Sequence, residues 1–336
     1  MTKEAKAQPI LQVDALVKYF PVFQKGILRR RKTGKVHAVD HVSLQIVKGE
    51  TLGLVGESGC GKTTIGKVIL HLEWPTSGRV TFEGVDVSMA LKKGPRREVM
   101  ALRRSMQMVF QNPYGSLDPR MTVFDILTEP FQVHEHVKRD EWSDRVYKLL
   151  EMVGLEEYHA ERYPHEFSGG QRQRICVART IAVEPKLIIA DEPVSSLDVS
   201  VRAQILNLLI KLQREQAISY LYISHDLSSV RQISHRVAVM YLGQILEQSE
   251  TESLYEKPLN PYTMALLSAI PVPDPDKKVK RIILPGEVPS AINVPKGCRF
   301  HPRCPYVIDR CRTEVPELKE YADNHLSACH RSEEFL

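Results

Sequence analysis

Residues Gly56-Glu57-Ser58-Gly59-Cys60-Gly61-Lys62-Thr63 fit the pattern G-x-x-x-x-G-K-[ST], and few eight-residue stretches restrict a fold so far. Thr51-Leu52-Gly53-Leu54-Val55 reads as a short buried strand entering the loop. Ile65, Val68, Ile69 and Leu72 follow at i, i+3, i+4 and i+7, one face of a helix. Strand, glycine loop and helix start suit a triphosphate. Small residues let successive backbone N–H groups turn toward one anion, and the helix N-terminus adds partial positive charge. Lys62 is expected on the β- and γ-phosphates and the Thr63 hydroxyl on Mg²⁺, with Thr64 in the same first turn. The plain alternative is a glycine-rich turn that binds nothing, and the flanking strand and helix argue against it.

With 336 residues the chain has room for two domains, or one with an appendage, and 43% apolar residues supply a large core. A net charge of +5 is too weak to argue for nucleic acid, and none is expected as a partner. No run approaches the ~18 apolar residues of a membrane span. The N-terminus, MTKEAKAQPI, lacks the apolar core of a signal peptide, so a cytosolic location is expected. In that compartment the six cysteines are not expected to form disulfides.

In chain order, residues 10–20 read as a first strand. A basic insert, Lys25 to Lys35, reads as a solvated loop, with contact to acidic lipid headgroups the lesser alternative. Residues 36–47 alternate as a strand, Lys48-Gly49-Glu50 turns, and 76–87 suits an antiparallel hairpin. Met106 to Phe110 is a short strand ending at Gln111, and 121–153 reads as mostly helical, with Gly154 as its stop. Ser168 and Gln171 have capping-box spacing, so a helix is expected to start at Ser168. Leu187-Ile188-Ile189-Ala190 is a continuous apolar run ending in Asp191 and Glu192, as in a parallel strand buried on both faces. A helix (Ile205, Leu208, Leu209, Leu212) and a strand ending before Ser224-His225 follow. Strands alternating with helices imply an α/β sheet, with ligands at the C-terminal strand ends. Gln111, Asp191, Glu192 and His225 all fall at such ends. Beyond about residue 260, Pro271, Pro273, Pro275, Pro285, Pro289, Pro295 and Pro302 exclude long helices.

These motifs, in order and spacing, resemble the ATP-binding cassette (ABC) family: GESGCGKT, a glutamine loop at Gln111, the signature FSGGQ, LIIADE, Ser196-Leu197-Asp198 and a switch histidine at His225. The resemblance implies a RecA-like P-loop core with an antiparallel β subdomain and a helical signature subdomain, about 112–178, within a nucleotide-binding domain at 1–262. It makes Gln111 and Asp191 the Mg²⁺-side partners of Thr63, and Glu192 the carboxylate that polarises the attacking water. It places His225 on the γ-phosphate and Phe20, with Tyr19 as fallback, under the adenine. In this family two cassettes pack head to tail, so Ser168-Gly169-Gly170-Gln171 would serve a partner's ATP. Phe167 replaces the usual leucine of the signature.

VFQNPYGSL, RYPHEF, NPYTMALLSAIP and a four-cysteine tail narrow the resemblance to ATP-binding subunits of bacterial dipeptide/oligopeptide importers. That implies two membrane permeases, a second homologous ATPase and an extracytoplasmic solute-binding protein, with this chain peripheral on the cytoplasmic face of the membrane. Nickel importers share much of the pattern and remain the alternative, with a soluble, non-transport ABC ATPase more remote. In the Pro-rich region 263–336, Cys298, Cys304, Cys311 and Cys329 offer four thiolates. Zinc, an iron–sulfur cluster or free thiols all accommodate them, although the tight C-x-x-C knuckles of zinc sites are absent. The family resemblance implies [4Fe–4S], with His301 and His330 as bystanders.

Overall fold

The computed structural model describes residues 8–25, 30–134, 138–271 and 281–336. The chain divides into two compact units. One gathers Leu11–Gln45, Leu52–Gly84 and Ser224–Leu336; the other gathers Met1–Ile10, Ile46–Thr51 and Val85–Ile223.

In the first unit, the strand Pro9–Lys25 pairs antiparallel with Ser77–Phe82, with Leu11 opposite Phe82 and Val13 opposite Val80. Alternation explains the pairing: Leu11 and Val13 are buried while Gln12 faces out. Arg30–Val47 lies along its other side. The basic stretch is therefore not a loop from Arg30 onward, while 26–29 lie outside the described residues. The reason is backbone pairing with the neighbouring strand Pro9–Lys25, and the Thr33 hydroxyl also donates to the Val22 carbonyl.

Leu52 to Val55 of the strand Thr51–Val55 run parallel to Arg236–Tyr241, with Leu54 opposite Ala238. Arg236–Tyr241 pairs antiparallel with Gln244–Glu250, which in turn takes His325–Ser327 and then Lys319–Ala322. The C-terminal segment thus adds two strands to the sheet that carries the phosphate loop. A buried carboxylate fastens it. Glu247 accepts from the Leu259 N–H at 2.6 Å and the Asn260 N–H at 3.1 Å, and meets His325 Nε2 at 2.7 Å. The helix after the loop, Lys62–Ile69, buries Ile65, Val68 and Ile69 but not Leu72, which is exposed. His71 takes a positive φ of 52° and ends the helix before Leu72 is reached. Pro273 and Pro275 lie outside the described residues, and the flanking helices are short, Pro261–Ser268 and Asp309–Thr313.

In the second unit, Met106–Val109, Leu187–Asp191 and Ser219–Ile223 form a parallel run, with Ile189 opposite Met108 on one side and Leu221 on the other. Every residue of Leu187–Asp191 is buried, as its unbroken apolar sequence requires. The stretch read as mostly helical is two helices, Val123–His134 and Trp142–Met152, with 135–137 outside the described residues. Their apolar faces (Ile126, Leu127, Phe131, Val146, Leu149, Leu150) are buried, and Gly154 stops the second at φ 71°. Among the described residues no helix is long and apolar enough to cross a membrane.

Candidate nucleotide site

The phosphate loop is built on glycines that nothing else replaces. Gly56 and Gly61 take φ of 151° and 112°. A Cβ would stand 2.1 Å from the Met240 carbonyl at the first and 2.0 Å from the Ala38 carbonyl at the second. Close backbone on one side and an open tip at Ser58 and Gly59 on the other leave a cradle of the kind an anion enters. Lys62, buried, curls its Nζ onto the Gly56 carbonyl at 2.7 Å and the Glu57 carbonyl at 3.2 Å. Its ammonium is thus held at the loop itself. Thr63 and Thr64 sit half-buried in the first helical turn. Cys60 is buried, and burial pushes its thiol pKa up, so it acts as a small apolar filler.

In the same unit, His225 is exposed just past the end of Ser219–Ile223, before the helix that Asp226 caps. Phe20 is half-buried with Lys18 Nζ 4.6 Å from its ring centre. Tyr19 is tied down: its hydroxyl donates to Asp40, and burial and that carboxylate push its pKa up to about 12.

The other unit holds the carboxylates. Asp191 ends its strand almost fully buried. Glu192, the next residue, takes φ 46°, a strained conformation for a non-glycine, while its N–H donates to the Ile223 carbonyl at 2.9 Å. Strain of this kind clusters at functional sites. Gln111 Nε2 donates to Glu192 Oε2 at 2.8 Å, so the glutamine loop and the carboxylate meet.

Ser168 caps Gly169–Ile181 in a full capping box: Gln171 N–H donates to Ser168 Oγ at 3.3 Å, and Ser168 N–H to Gln171 Oε1 at 3.1 Å. A Cβ on Gly170 would meet Val201 Cγ1 at 2.3 Å, so the signature glycine lets the helix capped by Asp198, Val199–Gln216, approach. Phe167 is buried.

Sequence reasoning missed a set of interactions in the loop's own unit. Tyr262 Oη accepts from the Glu57 N–H at 2.9 Å. Arg303 forks onto the Glu57 carboxylate, Nη1 to Oε2 at 2.7 Å and Nη2 to Oε1 at 3.1 Å. Arg299 pairs with Asp40 and donates to the Leu242 carbonyl. Burial alone would raise the Asp40 pKa, but the Tyr19 and His41 hydrogen bonds and the Arg299 charge bring it down to about 2. Of the residues that the C-terminal segment contributes, only Tyr262 had a local signal, as part of NPYT.

The four tail cysteines are half-buried or buried, and Cys298 is close enough to the other three to feel their charge. Burial first, then the charges of the other three, raise the pKa of Cys298 to about 12; Cys329 rises to about 11 for similar reasons. The donor set suits a metal or cluster in kind, since four thiols repel as thiolates unless a cation joins them. Among the described residues, however, no group of three or more His, Cys, Asp or Glu is arranged to hold a metal ion. His301 Nδ1 is engaged with the Cys298 carbonyl, and His330 Nε2 with that of Glu314.

Comparison with known proteins decides the family. The ABC transporter family matches residues 39–195, and the oligopeptide/dipeptide transporter C-terminal region matches 246–311. The chain is 51% identical over 328 residues to the oligopeptide transport ATP-binding protein AppF of Bacillus subtilis, covering 97% of this chain and 98% of that protein. This chain belongs to the ABC transporter ATP-binding subunits. A probable peptide ABC transporter ATP-binding protein, y4tS of Sinorhizobium fredii, is 51% identical over 321 residues, 96% of this chain and 89% of that one. Among solved structures, cbiO1 from Clostridium perfringens, part of the ABC transporter complex cbiONQ, matches with TM-score 0.61 at 27% identity, over 74% of this chain and 91% of that one. The ATP-binding cassette MJ0796, dimeric and bound to ADP and Pi, matches with TM-score 0.61 at 27% identity, over 72% and 98%. The ABC subunit is thus an ATPase with the RecA-like core of its family. The cassette match spans the phosphate loop through Glu192. The C-terminal match spans Tyr262, Arg299, Arg303 and three of the four tail cysteines.

Proposed function

We propose that this subunit hydrolyses ATP to energise the import of dipeptides or oligopeptides. It works as one of two cassettes on a pair of membrane permeases, fed by an extracytoplasmic solute-binding protein, and sits peripherally on the cytoplasmic face. The observation that carries the reading is the near-full-length identity to an oligopeptide transport ATP-binding protein, joined to the separate C-terminal match. Lys62 and the loop N–H groups bind the β- and γ-phosphates, with Phe20 under the base. Thr63, Gln111 and Asp191 would hold Mg²⁺, which supplies charge neutralisation to the transferring phosphoryl group. Glu192, oriented by Gln111, takes the proton of the attacking water, and His225 donates to the γ-phosphate. The nucleotide-binding domain spans 1–262, and the 263–336 region carries Cys298, Cys304, Cys311 and Cys329 as ligands of a [4Fe–4S] cluster. The presence of four cysteines in this region is what supports that cluster or, as the alternative, zinc.

The complex reconstituted in lipid vesicles with its permeases, second ATPase and binding protein tests this. Peptide added on the binding-protein side is expected to stimulate ATP hydrolysis, and a panel of nickel salts is not. Stimulation by nickel alone would overturn the peptide reading. Anaerobically purified protein is expected to hold about four iron per chain; stoichiometric zinc without iron would replace the cluster.

A further inference from the structure

The C-terminal segment does more than extend the sheet. It reaches back to the second residue of the phosphate loop and satisfies that residue's backbone N–H and its carboxylate. Tyr262 takes the Glu57 N–H, and Arg303 takes both oxygens of the Glu57 carboxylate. Two parallel N–H···O bonds from a guanidinium are the strong, directional form of this pairing. The arginine is held ready: its side chain is 8% exposed, against 27% for Glu57. Its segment is fixed by an aromatic trio, Tyr241, Tyr262 and Phe300, with ring centres 4.7 to 5.4 Å apart. Arg299, four residues earlier, is pinned to Asp40 and to the Leu242 carbonyl on the same segment's other flank.

The electrostatics give this fork a purpose. Glu57 puts a carboxylate into a loop whose task is to receive a polyanion. Unpaired, that charge would repel the phosphates. Arg303 cancels it and draws the side chain toward the C-terminal segment. Meanwhile the Glu57 carbonyl accepts from Cys60 N–H at 3.3 Å and from Lys62 Nζ at 3.2 Å, so the residue that Arg303 anchors also shapes the turn.

We propose that Arg303 is a positioning residue for nucleotide binding, and that through Glu57 the C-terminal region sets the affinity of the phosphate loop for Mg-nucleotide. This rests on the reading of Gly56 to Thr63 as the loop that holds ATP. The consequence is a physical link between the cysteine region and the ATPase site: Cys304 follows Arg303 directly, and the Cys298 N–H donates to the Cys311 carbonyl at 2.9 Å.

The test is calorimetric titration of the full-length chain with Mg-ADP, at low and moderate salt. Arg303→Ala is expected to bind about tenfold more weakly, the scale of a single charge-assisted hydrogen bond. The deficit should shrink as salt screens the exposed carboxylate. Arg303→Lys, which keeps the charge and removes the fork, should fall between. Adding Glu57→Gln to Arg303→Ala should restore most of the affinity, because it removes the charge that Arg303 was cancelling. A purely structural arginine would show no such rescue, so an Arg303→Ala deficit that Glu57→Gln leaves intact overturns the proposal. Wild-type affinity in Arg303→Ala overturns it as well. Lys62→Ala separates the two levels. If that variant binds Mg-ADP normally, the loop assignment itself fails; if it loses binding while Arg303→Ala does not, only the positioning role fails.

Discussion

Replacing Gly61 by alanine tests the geometry of the phosphate loop apart from its chemistry. Gly61 has φ 112°, and the new Cβ would stand 2.0 Å from the Ala38 carbonyl oxygen and 2.7 Å from Met240 Cε. Met240 has a flexible end and can move. Ala38 cannot do so cheaply, since it lies in the strand Arg30–Val47, and the neighbouring Asp40 N–H is bonded to the Gly243 carbonyl at 2.8 Å. The backbone strain costs about 1–3 kcal/mol, and forcing apart packed neighbours adds about 1–3 kcal/mol. Gly59, two residues earlier, also has a positive φ, 79°, but a Cβ there meets nothing within 4 Å. Gly59→Ala therefore carries only the conformational cost, about 1–2 kcal/mol. Urea denaturation of both variants, followed by tyrosine and tryptophan fluorescence, should show Gly61→Ala markedly less stable than Gly59→Ala. Mg-ADP titration should show it the weaker binder. Equal midpoints for the two would refute the claim that close approach of the Ala38 backbone makes glycine necessary at 61.

Glu192→Gln is expected to keep ATP binding and to lower turnover roughly 10²–10⁴-fold, measured as phosphate release by the assembled complex with the partner's site silenced. Asp40→Asn should destabilise the chain by about 3 kcal/mol at neutral pH, because Arg299 is left buried without its counter-charge. The Asp40 pKa is depressed to about 2 in the fold, below the ~3.9 of a free aspartate. Its contribution is therefore fully present above about pH 4 and lost as pH falls toward 2. Denaturation midpoints of wild type and variant should keep a constant gap from pH 7 to about 4 and converge below it.

Contiguous chemistry was legible in the sequence. The phosphate loop, the capping box of Ser168 and Gln171, and the buried strand ending in Asp191 each announce themselves within a few residues, and the structure builds them as read. Periodicity misplaced Leu72 because it carries no information on His71, whose positive φ stops the helix one turn early. The basic run 25–35 looked like a loop because charge count stood in for backbone pairing; the strand Arg30–Val47 is set by its neighbour, not by its own side chains. The helix Arg96–Ser105 went unread because it is rich in arginine and fully buries none of its residues, so it shows no apolar run to mark it. The fork of Arg303 on Glu57 was out of reach altogether. The two residues are 246 positions apart, and long-range packing, including that of Tyr241, Tyr262 and Phe300, brings them together.

The proposed pairing of two cassettes implies that this chain's phosphate loop and its signature serve two different nucleotides, one bound here and one on a second cassette. Site-resolved photolabelling with 8-azido-ATP, combined with turnover of the reconstituted complex, measures that directly. Ser168→Arg in this chain is expected to leave its own loop labelled and to stop hydrolysis at the partner's loop, whereas Lys62→Ala should abolish labelling of this chain's loop alone. If Ser168→Arg instead silences only this chain's own loop, or if the isolated monomer at high dilution hydrolyses ATP at the full rate of the complex, the composite site does not exist.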